Sequence, residues 1–360
     1  MVDLTAEVRP GANRYMAGAG VLLDLTDYLA EFETVAVITG EKSYDVFQSY
    51  MPEKLPYQVF RYDGSASDED AARLATAIGH ADAVVGIGGG RVMDTAKLTA
   101  EVLHSDLVLV PTIISNCAPY TPVTAVYNPD HSFKRIGGQI RASFLTIVDY
   151  QFLLQTPHDY FIAGIGDTVA KWYEIEGLTR HLSDDEKTAF IRLGIASARE
   201  ILAILLASSD QAIADLTSQK LSAAFGNITD AIIGLSGTVG GFAGLYGRTA
   251  GAHAVHNGMT LLPETHPILH GAKVAYGVLV QLAYTNDFDE IRKLLPFYQK
   301  INLPIRLSQL AITNTDRGHL REMATFSASD FESFKLLDES ITADKVMDAI
   351  EKLAKFVENQ

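Results

Sequence analysis

Gly86-Ile-Gly-Gly-Gly90-Arg-Val-Met-Asp94-Thr-Ala-Lys97 follows directly on the apolar run Ala83-Val-Val85. The order reads as strand, glycine turn, helix, with the helical pattern running from Val92 to Leu103. A turn of this kind presents bare backbone amides at a helix N-terminus, where the helix dipole favours an anion such as a pyrophosphate. The spacing is not G-x-G-x-x-G, because Arg91 stands in the third glycine place, so the common dinucleotide fingerprint is absent. A plainer reading of the same glycines is a tight turn that needs positive φ.

Working outward, β-branched runs recur at Thr34–Thr39, Tyr57–Tyr62, Leu107–Thr112 and Phe144–Asp149. Between them lie amphipathic stretches, one beginning near Ser43 and one capped by Ser67 with Asp70. That alternation is the rhythm of βα units on a parallel sheet. Thr124–Tyr127 and Phe133–Ile136 flank the turn Asn128-Pro-Asp130 and predict an antiparallel hairpin. From Pro157 to Leu353 helical periodicity takes over, rich in Ala, Leu, Glu and Lys. The expected architecture is an α/β nucleotide-binding domain over 1–153 and an all-helical domain over 154–360, joined tightly near Tyr150 to Pro157. A cleft between the two is the expected active site.

A chain of 360 residues exceeds the size at which a single core keeps growing. Its 48% hydrophobic and 20% charged content suits a globular enzyme without a long disordered tail. Met1 to Tyr15 lacks the apolar segment of a signal peptide, and no membrane-length apolar run occurs, so a cytoplasmic location is expected. With 29 basic against 44 acidic residues the net charge is −15, which repels polyanions and argues against nucleic acid as a partner. Cys117 is the single cysteine, which excludes an internal disulfide and thiolate zinc clusters. Any bound metal must use histidine and carboxylate.

Three phrases supply such ligands. Gly164-Ile-Gly-Asp167-Thr-Val-Ala-Lys171-Trp-Tyr-Glu174 places Asp167 near an expected helix N-terminus, where a carboxylate stays ionised. Gly251-Ala-His253-Ala-Val-His256-Asn-Gly258 puts two histidines on one helix face, and His270-Gly271 follows in a later segment. Two imidazole nitrogens and one carboxylate oxygen leave an open position on a zinc-like or iron-like ion, as a catalytic site requires. Taken singly, Asp167 reads equally as a capping residue and the histidines as packing residues. His266, in the Pro263–Pro267 loop, reads as a surface residue.

The loop Gly-Gly-Gly-x-x-x-Asp-x-x-Lys, a strand ending Pro111-Thr112, and the phrases around Asp167, His253 and His270 resemble the iron-containing alcohol dehydrogenase superfamily, in its glycerol-dehydrogenase-like branch. The resemblance spans nearly the whole chain and implies the iron alcohol dehydrogenase (dehydroquinate synthase-like) fold. It implies Asp167, His253 and His270 as ligands of one divalent metal, and His256 as a neighbouring or proton-relay residue. It also implies an NAD or NADP site formed by Gly88, Gly89, Gly90, Arg91 and Asp94, then Thr112, Ser115, Thr121, Val123 and Tyr127. A homo-oligomer is expected on the same ground.

Departures from the branch bear on the substrate. Cys117 stands in Ser115-Asn-Cys117-Ala-Pro119 where the glycerol dehydrogenases carry Asp, and a thiol is a poor acceptor for polyol hydroxyls. Lys171, one turn after Asp167, occupies the place of a fourth ligand histidine in the classical iron enzymes. Its ammonium is a candidate to hold a substrate carboxylate, or to pair with Glu174 or Asp167. Arg135 and Arg141 read as solvated charges. Together these features resemble the hydroxycarboxylate dehydrogenase subgroup and imply reduction of a small 2-oxo acid such as 2-oxobutyrate. Glycerol oxidation is the alternative, and a dehydroquinate synthase-like carbocyclic synthase the more remote one. Thr39-Gly40-Glu41 lacks the usual ribose-gripping Asp, which tilts the nucleotide toward NADP.

Overall fold

The computed structural model describes residues 7–138 and 141–360. The chain divides into two compact units, one of Arg9–His158 with Gln211–Thr238, the other of Asp159–Asp210 with Val239–Gln360.

The first unit is built on a six-stranded parallel sheet in the order β1-β8-β5-β4-β2-β3. The strands are β1 (Arg14–Gly18), β2 (Val35–Thr39), β3 (Gln58–Arg61), β4 (Ala83–Gly88), β5 (Asp106–Pro111) and β8 (Leu145–Asp149). Alternate residues of each strand face opposite sides. Val37, Val85, Ile87, Val108 and Val110 join a core with Leu22, Leu25 and Phe47, while Ile38, Val84, Leu107 and Leu109 join another with Leu74, Val92 and Met93. Because helices cover both faces, the inner strands read as unbroken apolar runs rather than as alternation. Each such side chain contributes about 1.5–3 kcal/mol on burial.

The strand positions expected from sequence are present, displaced by a residue or so at their ends. The hairpin is there too, as β6 (Val123–Tyr127) paired antiparallel with β7 (Phe133–Gly138). Ser67 caps the helix Asp68–Ile78 by accepting from the Asp70 amide. The unforeseen strand is β1, at the sheet edge, paired in parallel with β8. Its Arg14-Tyr-Met-Ala-Gly18 is half exposed and carries no β-branched residue, so local pattern gives no signal for it.

Sequence alone suggests a single boundary between 153 and 154, whereas the stretch Gln211–Thr238 returns to the sheet-bearing unit. The Asp230 carboxylate accepts from the hydroxyls of Tyr15 (2.8 Å) and Tyr150 (2.6 Å), and Gln219 donates to the Leu154 carbonyl (2.8 Å).

In the second unit the described residues form helices without a β-strand. The ones that matter for the site are His158–Thr179, Gly251–Met259 and His270–Tyr284. Among the described residues no helix is long and apolar enough to cross a membrane.

Candidate functional site

Asp167 lies in the middle of the helix His158–Thr179, not at a helix start. This corrects the expectation drawn from Gly164 and Gly166, and the reason is contact rather than backbone freedom. A Cβ on Gly166 would stand 2.8 Å from the Gly271 carbonyl oxygen, and one on Gly271 would stand 1.8 Å from that of Ala163. The two glycines let the helices His158–Thr179 and His270–Tyr284 touch backbone to backbone. That contact delivers His270, the first residue of its helix, to Asp167.

His270 Nε2 is 3.1 Å and His253 Nε2 3.4 Å from the same oxygen, Asp167 Oδ1. Asp167, His253 and His270 each offer one ligand atom, all within 4.8 Å of one another. The side chain of His270 is 46% exposed against 12% for His253 and 8% for Asp167, so the cluster is walled on two sides and open on the third. A catalytic metal needs that open side for its substrate.

The hydrogen-bond partners decide which nitrogen of each ring faces Asp167. His253 Nδ1 lies 2.9 Å from Glu174 Oε2, a pure acceptor, so Nδ1 carries a hydrogen and Nε2 is the nitrogen turned to Asp167. Glu174 Oε1 also accepts from the amides of Ala250 and His253, which fixes the carboxylate in place. Ligating histidines are typically oriented by such a carboxylate, which also raises their basicity. Burial disfavours a charged His253, yet Glu174 and Asp167 outweigh it and lift the ring to about 9. Burial likewise favours a neutral Asp167, but His270 and His253 outweigh it and hold the carboxylate well below its usual range. A proton and a metal ion thus compete for the same lone pairs, and the donor set fits a borderline divalent ion such as zinc or iron(II).

His256 sits behind His270, its Nε2 2.9 Å from His270 Nδ1. Burial holds this ring neutral, reinforced by His270, Lys273 and His253. Lys171 is buried and donates to the Arg248 carbonyl at 2.9 Å, so it is not hydrogen-bonded to Glu174 or Asp167. His266 is exposed. Glu174 is the site residue that sequence reading passed over as a mere partner for Lys171. Its spacing of two helical turns from Asp167 was the available signal.

In the other unit, Gly88 closes β4, Gly89 caps and Gly90 opens the helix Gly90–Leu103. None of the three has positive φ; they are small because a Cβ on Gly88 would meet Val92 at 2.5 Å and one on Gly89 would meet Ile113 at 3.0 Å. The amides of this turn lie at the carboxyl edge of the sheet, where β4 and β2 are neighbours and the strand order reverses. Ligands of open α/β sheets bind at such a switch point. Arg91 is exposed and lies over the Tyr127 ring at 5.2 Å. Thr112 donates its amide to the Gly88 carbonyl, and Thr121 Oγ1 accepts from the Val123 amide. Asp94 points inward instead, buried beside Lys97, whose ammonium donates to the Val123 carbonyl at 2.8 Å. The pair ties the helix to the hairpin. Ser115 and Cys117 are half-buried on the segment after β5, with Cys117 next to the place a Cβ on Gly237 would fill. Arg135 pairs with Asp68, and Arg141 donates to the His104 carbonyl.

Residues 12–150 match the family model for the iron-containing alcohol dehydrogenases. The chain is 35% identical to hydroxycarboxylate dehydrogenase A of Escherichia coli (strain K12), over 96% of this chain and 97% of that protein. It is 31% identical to a glycerol dehydrogenase of Thermotoga maritima, over 98% of each. Among solved structures, the glycerol dehydrogenase of Schizosaccharomyces pombe superposes with a TM-score of 0.88 at 25% identity, covering 99% of this chain and 92% of that one. With a parallel-sheet unit carrying the glycine turn, a helical unit gathering Asp167, His253 and His270, and relatives matched end to end, the chain belongs to the iron-containing alcohol dehydrogenase family and is an oxidoreductase acting on CH–OH groups.

Proposed function

We propose that the chain interconverts a small 2-hydroxy acid and its 2-oxo acid, with 2-oxobutyrate as the representative substrate, using NADP(H) and one divalent ion held by Asp167, His253 and His270. The observation that carries the metal-dependent reading is the convergence of two Nε2 atoms on one buried carboxylate oxygen. A divalent ion bound there supplies Lewis-acid polarisation of the substrate oxygen, and the nicotinamide supplies the hydride. The protein's part is to hold and orient. Glu174 pins His253, the Gly88–Gly90 amides would hold a pyrophosphate, and His256 braces His270.

Lys171 is the cation for the substrate carboxylate. An ammonium has three donors, and the Arg248 carbonyl takes one of them. Cys117 in place of the polyol-binding Asp and the name of the 35% identical relative both favour a hydroxy acid over glycerol. For the nucleotide, Glu41, the first residue of the helix Glu41–Tyr50 after β2, is paired with Arg61 at 3.3 Å, and Arg61 also donates to the Gly40 carbonyl. That neutralised carboxylate, with Lys42 beside it, tolerates a 2′-phosphate. The same reading makes the protein a cytoplasmic homo-oligomer.

Glycerol oxidation is the second reading, favoured by the glycerol dehydrogenase relatives. Purified protein assayed with 2-oxobutyrate and with glycerol, using both nucleotides and several divalent ions, separates the two. Reduction of 2-oxobutyrate with NADPH, lost on chelation and in Asp167→Ala, is the expected result. Turnover of glycerol alone, or full activity in the metal-stripped protein, would overturn the proposal.

A further inference from the structure

The two histidines of the cluster are oriented by unequal means. His253 meets its carboxylate, Glu174, directly. His270 has no carboxylate on Nδ1; it has His256, and behind His256 a file of polar groups that leads outward. His256 Nδ1 lies 2.9 Å from Asn257 Oδ1, and Asn257 Nδ2 lies 3.1 and 3.0 Å from the two oxygens of Glu332. We infer that Glu332 is a positioning residue for the metal site, acting through Asn257 and His256 to fix His270 as an Nε2 ligand. This rests on the metal reading above.

Donor and acceptor capacities run the file in one direction. Both Glu332 oxygens lie within hydrogen-bond reach of Asn257 Nδ2, so Glu332 turns the Asn257 amide to present its NH2 outward and its carbonyl inward. Asn257 Oδ1 then requires a hydrogen on His256 Nδ1. His256 Nε2, at the other edge of that ring, then faces His270 Nδ1 as its acceptor. His270 Nε2 is therefore the nitrogen left on the side of Asp167, where a bound cation would take its lone pair. Remove the anion at the outer end and the Asn257 amide is free to turn over, which lets His256 and His270 take the other tautomer. That tautomer puts a hydrogen where the cation belongs.

The surroundings of Glu332 favour this role over an incidental contact. It is half-buried and among the described residues has no cationic ion-pair partner; burial pushes its carboxyl up to about 7, and the hydrogen bond from Asn257 pulls the other way. Its loop is held to the histidine helix at a second point, where Ser333 Oγ donates to the Ala250 carbonyl at 2.8 Å. Glu332 and Asn257 are 75 positions apart, so no local pattern imposes the contact.

The test is a cycle of Glu332→Ala, Asn257→Leu and the double variant, read by zinc and iron(II) affinity of the metal-stripped protein in competition with a chelating dye. Melting temperature of the stripped proteins is followed in parallel. Each single change should weaken metal binding by about tenfold or more, within the range for outer partners of ligating histidines. The double variant should be no weaker than Asn257→Leu alone, because the two act through one file. Glu332→Gln, which keeps an acceptor, should recover part of the affinity, and it carries the test alone if Asn257→Leu fails to fold. Parent-like affinity in both Glu332 variants, or losses that simply add in the double variant, would refute the relay. If the parent chain takes up no metal that Asp167→Ala loses, the metal reading itself fails, and the relay with it.

Discussion

At the scale of single residues the site is governed by which atom owns a proton. Glu174 is buried and accepts three hydrogen bonds from one short stretch, Ala250 to His253, so it sets both the start of that helix and the tautomer of the ring. Lys171 is set apart by what it does not touch. Its ammonium is buried and hydrogen-bonded to a carbonyl rather than to an acid, and the proposed function assigns its charge to an incoming carboxylate. Lys171→Met should therefore raise KM for 2-oxobutyrate roughly 10–100-fold, the worth of a charged hydrogen bond, while leaving metal affinity near that of the parent. A KM unchanged within error would assign Lys171 to fold stability instead.

At the scale of elements, the decisive feature is the crossing of the helices His158–Thr179 and His270–Tyr284 at Gly166 and Gly271. A methyl group at position 271 would lie 1.8 Å from a carbonyl oxygen, and backbone cannot swing aside as a side chain can. Gly271→Ala should push the helices apart, costing roughly 1–3 kcal/mol in stability, as overpacking generally does. Because His270 is the neighbouring residue, metal binding should fall by more than the loss of stability explains. A variant that melts lower but binds metal as the parent does would show that the crossing matters for packing only. On the sheet, the hairpin β6–β7 is fastened by Lys97 to the helix that follows the glycine turn, so strand, turn and hairpin form one mechanical piece.

Folding stability belongs to the whole molecule, and Asp94 makes part of it depend on pH. Burial pushes this carboxyl up to about 6 from its ordinary 3.8, with Lys97 pulling the other way. The sign follows from linkage: between roughly pH 4 and 6 the native state holds the proton more tightly than the unfolded chain. The contribution is thus full at low pH and is lost as pH rises through the native value. Relative to the parent, Asp94→Asn should lose less stability as pH is raised across that window, measured by thermal or denaturant unfolding at each pH. Parallel pH profiles for the two proteins would mean that Asp94 does not titrate there.

The set Asp167, His253 and His270 was named by the resemblance of its phrases to a family, while the inner strands, the helices and the glycine turn were legible in the sequence because strand and helix periodicity are local properties. The edge strand β1, the return of Gln211–Thr238 to the sheet-bearing unit and the mid-helix place of Asp167 were not. Nor was the file from His270 to Glu332, for Asp167 and His270 themselves stand 103 positions apart and meet only where two glycines remove the atoms between their helices. Residue types specify what a site can do. Packing alone specifies which of them share it, since contacts between distant segments depend on how buried faces fit, and no repeat along the chain encodes that.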